Sequence, residues 1–201
     1  MTTLPVDMGH TVISKTKGHR LVAFGLGACV GVCVYDPLSQ VGGMVHIVLP
    51  RTLVSANHSK QDGDSILLGK FADTAVAHLI AECIRFGANP ERLQCAIAGG
   101  ASVFQSIPRV NKPLADGPNN KSGSRLEIGR RNVEAVRNFA EELKLSIVAE
   151  DIGGTWGRTL TMVAGTGEVY VRAVGSEDRL LANLAISAEG KTIPVEGQRF
   201  A

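Results

Sequence analysis

Apolar positions along this chain fall into short extended runs and two stretches at helical spacing. Residues 11–16 and 20–24 are rich in Val, Ile, Leu and Thr and predict two short strands. Gly25-Leu26-Gly27-Ala28 reads as a glycine turn, after which Cys29 to Tyr35 continues in extended style. Asp36-Pro37-Leu38-Ser39 suits a type I turn, with Asp first and Pro second. Val41 to Leu49, closed by Pro50, completes a predicted hairpin. Beyond a polar loop over 51–65, the residues Ala72, Ala75, Val76, Leu79, Ile80, Cys83 and Ile84 recur as one buried helix face. Gly87 and Pro90 mark its end.

A strand is predicted over Leu93 to Ala98, running into Gly99-Gly100-Ala101. Ser106 to Ser124 reads as loop, and Lys112 to Ser124 within it as a surface insertion. Val133, Val136, Ala140 and Leu143 mark a second helix, followed by a strand from Ser146 to Ala149. Glu150 to Arg158 is too rich in glycine for a regular element. Arg158 to Ala164 and Glu168 to Val174 predict a hairpin around Gly165-Thr166-Gly167. Patterning then weakens, so residues 1–175 read as one domain and 176–201 as a partly disordered tail. Many strands with two helices imply an α+β domain whose helices cover a largely antiparallel sheet.

Composition narrows the function classes. A chain of 201 residues, 44% hydrophobic and 20% charged, can bury a core and is not a disordered segment. A formal charge of +2 and only 4% aromatics argue against nucleic-acid binding. The longest uncharged apolar run, Leu21 to Tyr35, falls short of the roughly 20 residues that cross a bilayer. Met1 to Gly18 shows no apolar signal-peptide core. The four cysteines are therefore expected to be reduced thiols of a cytoplasmic protein.

Cys29 is the first candidate for chemistry. It follows a glycine turn between two strands, where backbone N–H groups can face a developing oxyanion. A nucleophilic thiol needs a base, usually His. If Asp36 faces Ser39 across the turn, Cys29 sits opposite His46 on one face, with Cβ atoms about 4.5–5.5 Å apart. Slippage by one residue would separate them. Two other readings stay open at this point. Cysteine is also a small core hydrophobe, and a strand His is often a satisfied polar group. Cys29, Cys33 and His46 also share a side, but no fourth zinc ligand stands at useful spacing. Gly25, Gly27 and Gly31 do not match a dinucleotide fingerprint. No metal or cofactor is expected. Cys83 and Cys95 read as packing residues.

Seven pieces in order resemble the chemoreceptor glutamine deamidase family, CheD. They are Leu26-Gly-Ala-Cys-Val30; His46 before Leu49-Pro50; Phe71-Ala-Asp73; Gly99-Gly-Ala101; Ile128-Gly-Arg-Arg-Asn132; Glu150-Asp-Ile-Gly-Gly154 with Gly157-Arg158; and Thr166-Gly167 ahead of Val171-Arg172. The resemblance implies an α/β/β layered fold related to toxin deamidases. It also implies a Cys–His site that hydrolyses glutamine side-chain amides on the cytoplasmic helices of methyl-accepting chemoreceptors. Cys29 matches the family nucleophile and His46 its general base. Gly27 and Ala28 would contribute to the oxyanion site, and Asp151, Gly153, Gly154 and Arg158 would build the site wall or, alternatively, a glycine turn with a structural ion pair. Two departures stand out. Ala28 replaces the Ser that precedes the Cys, and Ala23 replaces a catalytic Thr six residues before it. The loss of that hydroxyl keeps a second role in view, that of a weakly catalytic or non-catalytic adaptor binding receptors and the phosphatase CheC. Glutamate methyl esters would be cleaved through the same intermediate, as a side activity.

Overall fold

The computed structural model describes residues 1–52, 67–102 and 127–186. Within them, two five-stranded sheets stack face to face and two helices cover one of the sheets. The first sheet contains β1 (Thr2–Pro5), β3 (His19–Leu26), β8 (Arg158–Val163), β9 (Glu168–Ala173) and β10 (Arg179–Asn183), in that order. The second contains β2 (Thr11–Ser14), β5 (Val41–Ile47), β4 (Val30–Asp36), β6 (Gln94–Gly99) and β7 (Ser146–Ile152). Helices α1 (Ala72–Arg85) and α2 (Ile128–Glu142) pack on this second sheet. Pairing is antiparallel except for β1 with β3 and β6 with β7. This is the α+β domain that the patterning predicts, in the α/β/β layering that the resemblance implies.

The middle sheet explains why β4 and β5 read as near-continuous apolar runs. Every residue of both is buried, because a sheet covered on two faces needs apolar side chains on each. Val30, Val32 and Val34 face Val76 and Leu79 of α1 and Val133 and Val136 of α2. Cys33 and Tyr35 point the other way, into a core with Leu21, Leu160 and Met162 of the first sheet. Each large side chain so buried stabilises the fold by about 1.5–3 kcal/mol. Phe86 caps helix α1 after Arg85, and Gly87 follows with φ +103°, a conformation that glycine adopts without strain.

The hairpin forms, but not in the predicted register. Asp36 pairs with Val41 rather than Ser39, and a four-residue connection replaces the two-residue turn. The cause is local: the Asp36 carboxylate accepts hydrogen bonds from the Leu38 N–H at 3.0 Å and the Ser39 hydroxyl at 2.9 Å. Ser39 thereby becomes a turn residue, and Gln40 takes φ +55° to re-enter the strand. Gly31, not Cys29, lies opposite His46. Because the slip is two residues, the faces are unchanged.

Other elements exceed their predicted bounds. β3 runs through Leu26, inside the predicted glycine turn, and β7 runs on to Ile152. The first residues contribute a strand, β1, that their polar composition did not announce. Residues 179–183, placed in the tail by sequence, form β10, and Leu184 is fully buried. The predicted loop and insertion up to Ser124 and the last residues of the tail lie outside the described residues.

Candidate active site

Cys29 is held by its neighbours' backbone. The loop Gly27–Cys29 joins β3 to β4, so the nucleophile candidate stands at the start of a central strand, outside its ladder. Three successive carbonyls of the loop are bound from beneath. Gly27 O accepts from the Ala101 N–H at 2.7 Å, and Cys29 O from the Gly100 N–H at 2.8 Å. Ala28 O accepts from Asn132 Nδ2 at 2.8 Å. The approach is close enough to require glycine at 99, because a Cβ there would lie 2.1 Å from Cys29 O. Gly129 performs the same service for α2, since a Cβ on it would stand 2.5 Å from Gly100 O.

The loop's N–H groups divide into two kinds. The Gly27 N–H donates to Gly25 O at 2.8 Å, so it is committed. The Ala28 and Cys29 N–H groups have no backbone acceptor among the described residues. Donors of this kind can receive an anionic oxygen, although the Cys29 N–H also faces its own thiol.

His46 projects from β5 into the space between the sheets and is 3% exposed. Its Nδ1 lies 3.2 Å from Val6 O. Its Nε2 is buried without a hydrogen-bond partner among the described residues. The ring lines an open cleft of about 490 Å³ with Val6, Asp7, Met8, Phe24 and Gly25. Cys29, half-buried, packs against the same inter-sheet core, so both candidates occupy one face of the second sheet. Burial raises the Cys29 thiol above its ordinary value, offset in part by its own backbone N–H. Burial also lowers His46 below its ordinary value, opposed by the Val6 carbonyl and by Asp7. Both effects favour the neutral form, thiol for Cys29 and imidazole for His46.

Ala23 is wholly buried in β3 and presents only a methyl group. Asp151, Gly153, Gly154 and Arg158 form a glycine turn closed by an ion pair. Arg158 donates to the Asp151 carbonyl at 2.6 Å, to the Asp151 carboxylate and to the Gly153 carbonyl. This turn in turn grips the segment under Cys29, through Gly153 N–H to Gly99 O at 2.9 Å and Ser102 N–H to Gly154 O at 2.8 Å. Arg158 also lines a second cleft that shares Gly25 with the first. Cys33 is in the inter-sheet core, and Cys83 and Cys95 are in the helix-side core. Among the described residues, no three His, Cys, Asp or Glu side chains are grouped to hold a metal.

Asn132 is the residue whose role the sequence left unassigned. It is fully buried on α2 and donates both Nδ2 hydrogens, to Ala28 O and to Val48 O at 2.9 Å. One side chain therefore ties the Cys29 loop to the end of the His46 strand. The signal was present: Asn132 stands among Gly129, Val133 and Val136 on the apolar face of its helix, where an unpaired amide would be costly.

The CheD family model, described as CheD chemotactic sensory transduction, matches residues 48–173. That match begins beyond both Cys29 and His46. Curated relatives cover more. A protein of Caldanaerobacter subterraneus named probable chemoreceptor glutamine deamidase CheD is 38% identical over 86% of this chain and 93% of its own. A Symbiobacterium thermophilum protein of the same name is 39% identical over 85% and 92%. The chemoreceptor glutamine deamidase CheD of Thermotoga maritima is 36% identical over 87% and 94%. With identity at this level across nearly the whole of both chains, this protein belongs to the CheD family.

Proposed function

We infer that this protein hydrolyses glutamine side-chain amides of methyl-accepting chemoreceptors to glutamate. The observation that carries the reading is the extent of its likeness to proteins named chemoreceptor glutamine deamidase, at 36–39% identity over more than nine-tenths of their length. The geometry around Cys29 supports it. In the proposed reaction, His46 Nε2 takes the thiol proton as Sγ attacks the amide carbon, and the Ala28 and Cys29 N–H groups receive the oxyanion. Collapse of the tetrahedral species expels ammonia, protonated by His46, and leaves a thioester. Water activated by the same imidazole then attacks that carbonyl, the C–S bond breaks, and the thiol regains its proton.

The substrate sites are the receptors' cytoplasmic helices, and the protein acts in the cytoplasm. None of its described helices is long and apolar enough to cross a membrane. A CheC-type phosphatase is the second partner in this reading. The test is incubation with a receptor cytoplasmic fragment, followed by mass-spectrometric mapping of glutamine-to-glutamate conversion. Conversion by the intact protein and none by Cys29→Ala is expected. Binding of the fragment with its amides intact would establish the adaptor role instead.

A further inference from the structure

His46 lies against a carbonyl that no side-chain motif supplies. A carbonyl oxygen only accepts hydrogen bonds, so the contact from Nδ1 to Val6 O at 3.2 Å requires the proton on Nδ1. The neutral ring then carries its lone pair on Nε2, the nitrogen that has no partner among the described residues, in a residue that lines the cleft. No hydroxyl is available at position 23 to set this tautomer, because Ala23 ends in a methyl group.

Val6 is firmly placed for the task. β1 pairs in parallel with β3, and the Val6 N–H extends that ladder by donating to Val22 O at 2.8 Å. Its side chain is 2% exposed in the inter-sheet core. The chain then crosses to the second sheet, where the Gly9 N–H donates to His46 O at 2.8 Å and the His46 N–H to His10 O at 3.2 Å. Residues 6–10 are thus fastened to β3 on one side and to the backbone of His46 itself on the other.

We propose that the Val6 main-chain carbonyl orients His46 as the general base. Val6 is then a positioning residue, acting through His46, and the segment that follows β1 is part of the working site. The inference rests on the reading of His46 as base. It makes a specific claim about the resting enzyme: His46 is the Nδ1–H tautomer before any substrate arrives.

A single-atom exchange tests it. The Ala28–Cys29 junction permits native chemical ligation of a synthetic 1–28 segment to the remainder, giving the full chain. Replacing Asp7 by its α-hydroxy acid converts the Val6 carbonyl from amide to ester, a weaker acceptor, and keeps both side chains. The Asp7 N–H that is lost donates to no backbone acceptor among the described residues. In the ligated all-amide protein, nitrogen NMR above the His46 titration should show Nδ1 protonated and Nε2 bare. The ester should shift the ring toward Nε2–H and lower kcat about ten-fold, part of what general-base assistance contributes, with KM little changed. An Nε2–H ring in the all-amide protein, or an ester form with unchanged tautomer and kcat, would overturn the proposal. Ala23→Thr is the second arm. With the ring already held, it should change kcat by no more than about two-fold, and a folded variant about ten-fold faster would assign the orienting role to a hydroxyl. The tautomer is read without substrate, so failure of deamidation and failure of this inference are separate results.

Discussion

Cys29 is half-buried and His46 buried, and burial acts on them in opposite directions. It disfavours the thiolate of one and the imidazolium of the other. A site resting as thiol and neutral imidazole transfers its proton during attack, rather than storing a preformed ion pair. The pH profile separates the two cases. Because the base must be unprotonated and its pKa lies below the ordinary 6.5, kcat/KM should fall only at pH values below that. Because the thiol lies above its ordinary 9.0, no thiol ionisation should appear within the neutral range. A profile measured on a receptor fragment checks both limbs, and an acid limb reporting a low-pKa thiolate would contradict this assignment.

Asn132 shows a residue acting through others. Asn132→Ala leaves the Ala28 and Val48 carbonyls without their donor, at a cost of about 1–3 kcal/mol, moderated because Asn132 Oδ1 has no partner among the described residues. A urea titration should show that loss. Deamidation well below the melting temperature should slow in kcat, since the Cys29 loop loses one of its three carbonyl restraints. A destabilised variant with unchanged kcat would mean that Gly100 and Ala101 suffice to place the nucleophile.

At the scale of elements, the β4–β5 connection is organised by a buried carboxylate. Burial alone would raise Asp36, but Arg92, the Asn89 N–H, the Ser39 hydroxyl and the Leu38 N–H together hold it at about 2. Its side chain is wholly buried, and Arg92 engages it with two nitrogens, at 3.0 and 2.7 Å. A carboxyl depressed from 3.8 to about 2 contributes about 2 kcal/mol at neutral pH. The sign follows from proton uptake. The unfolded chain binds the proton first, so this contribution is complete above the unfolded value and is lost as pH falls from about 5 toward 2. Asp36→Asn should therefore be less stable than the parent at pH 6, with the gap closing by about 2 kcal/mol near pH 2. Urea midpoints at the two pH values measure it. The same carboxylate set the hairpin register, so composition named the turn while side-chain hydrogen bonds decided its length.

At the scale of the whole molecule, two cores share one middle sheet, and only one of them borders the site. Leu79 is fully buried between α1 and the second sheet, and Leu160 is fully buried between the sheets. A Cβ on Gly31, opposite His46, would lie 2.8 Å from Leu160 and 3.0 Å from Leu26. Truncation of either leucine to alanine should cost about 2–5 kcal/mol. Leu160→Ala should also lower kcat in folded protein, because it opens space beneath the sheet face that carries Cys29 and His46. Leu79→Ala should leave kcat per folded molecule near the parent value. Equal kcat losses in the two would mean that the site depends on global rigidity rather than on the inter-sheet core.

Local pattern by itself determined the helices, the central hairpin and the doubly buried strands, because hydrophobic periodicity is written in neighbouring residues. Motif order names Cys29 and His46 as the candidate pair. It could not determine β1 or β10, whose short segments become strands only when an existing sheet edge offers hydrogen-bond partners. Nor could it find the contact from Val6 to His46, which spans 40 residues and uses a main-chain carbonyl. Every residue carries a carbonyl, so no residue type advertises one as a ring's partner. That choice belongs to the tertiary structure, which carries the chain after β1 across from one sheet to the other and sets a backbone oxygen against the imidazole.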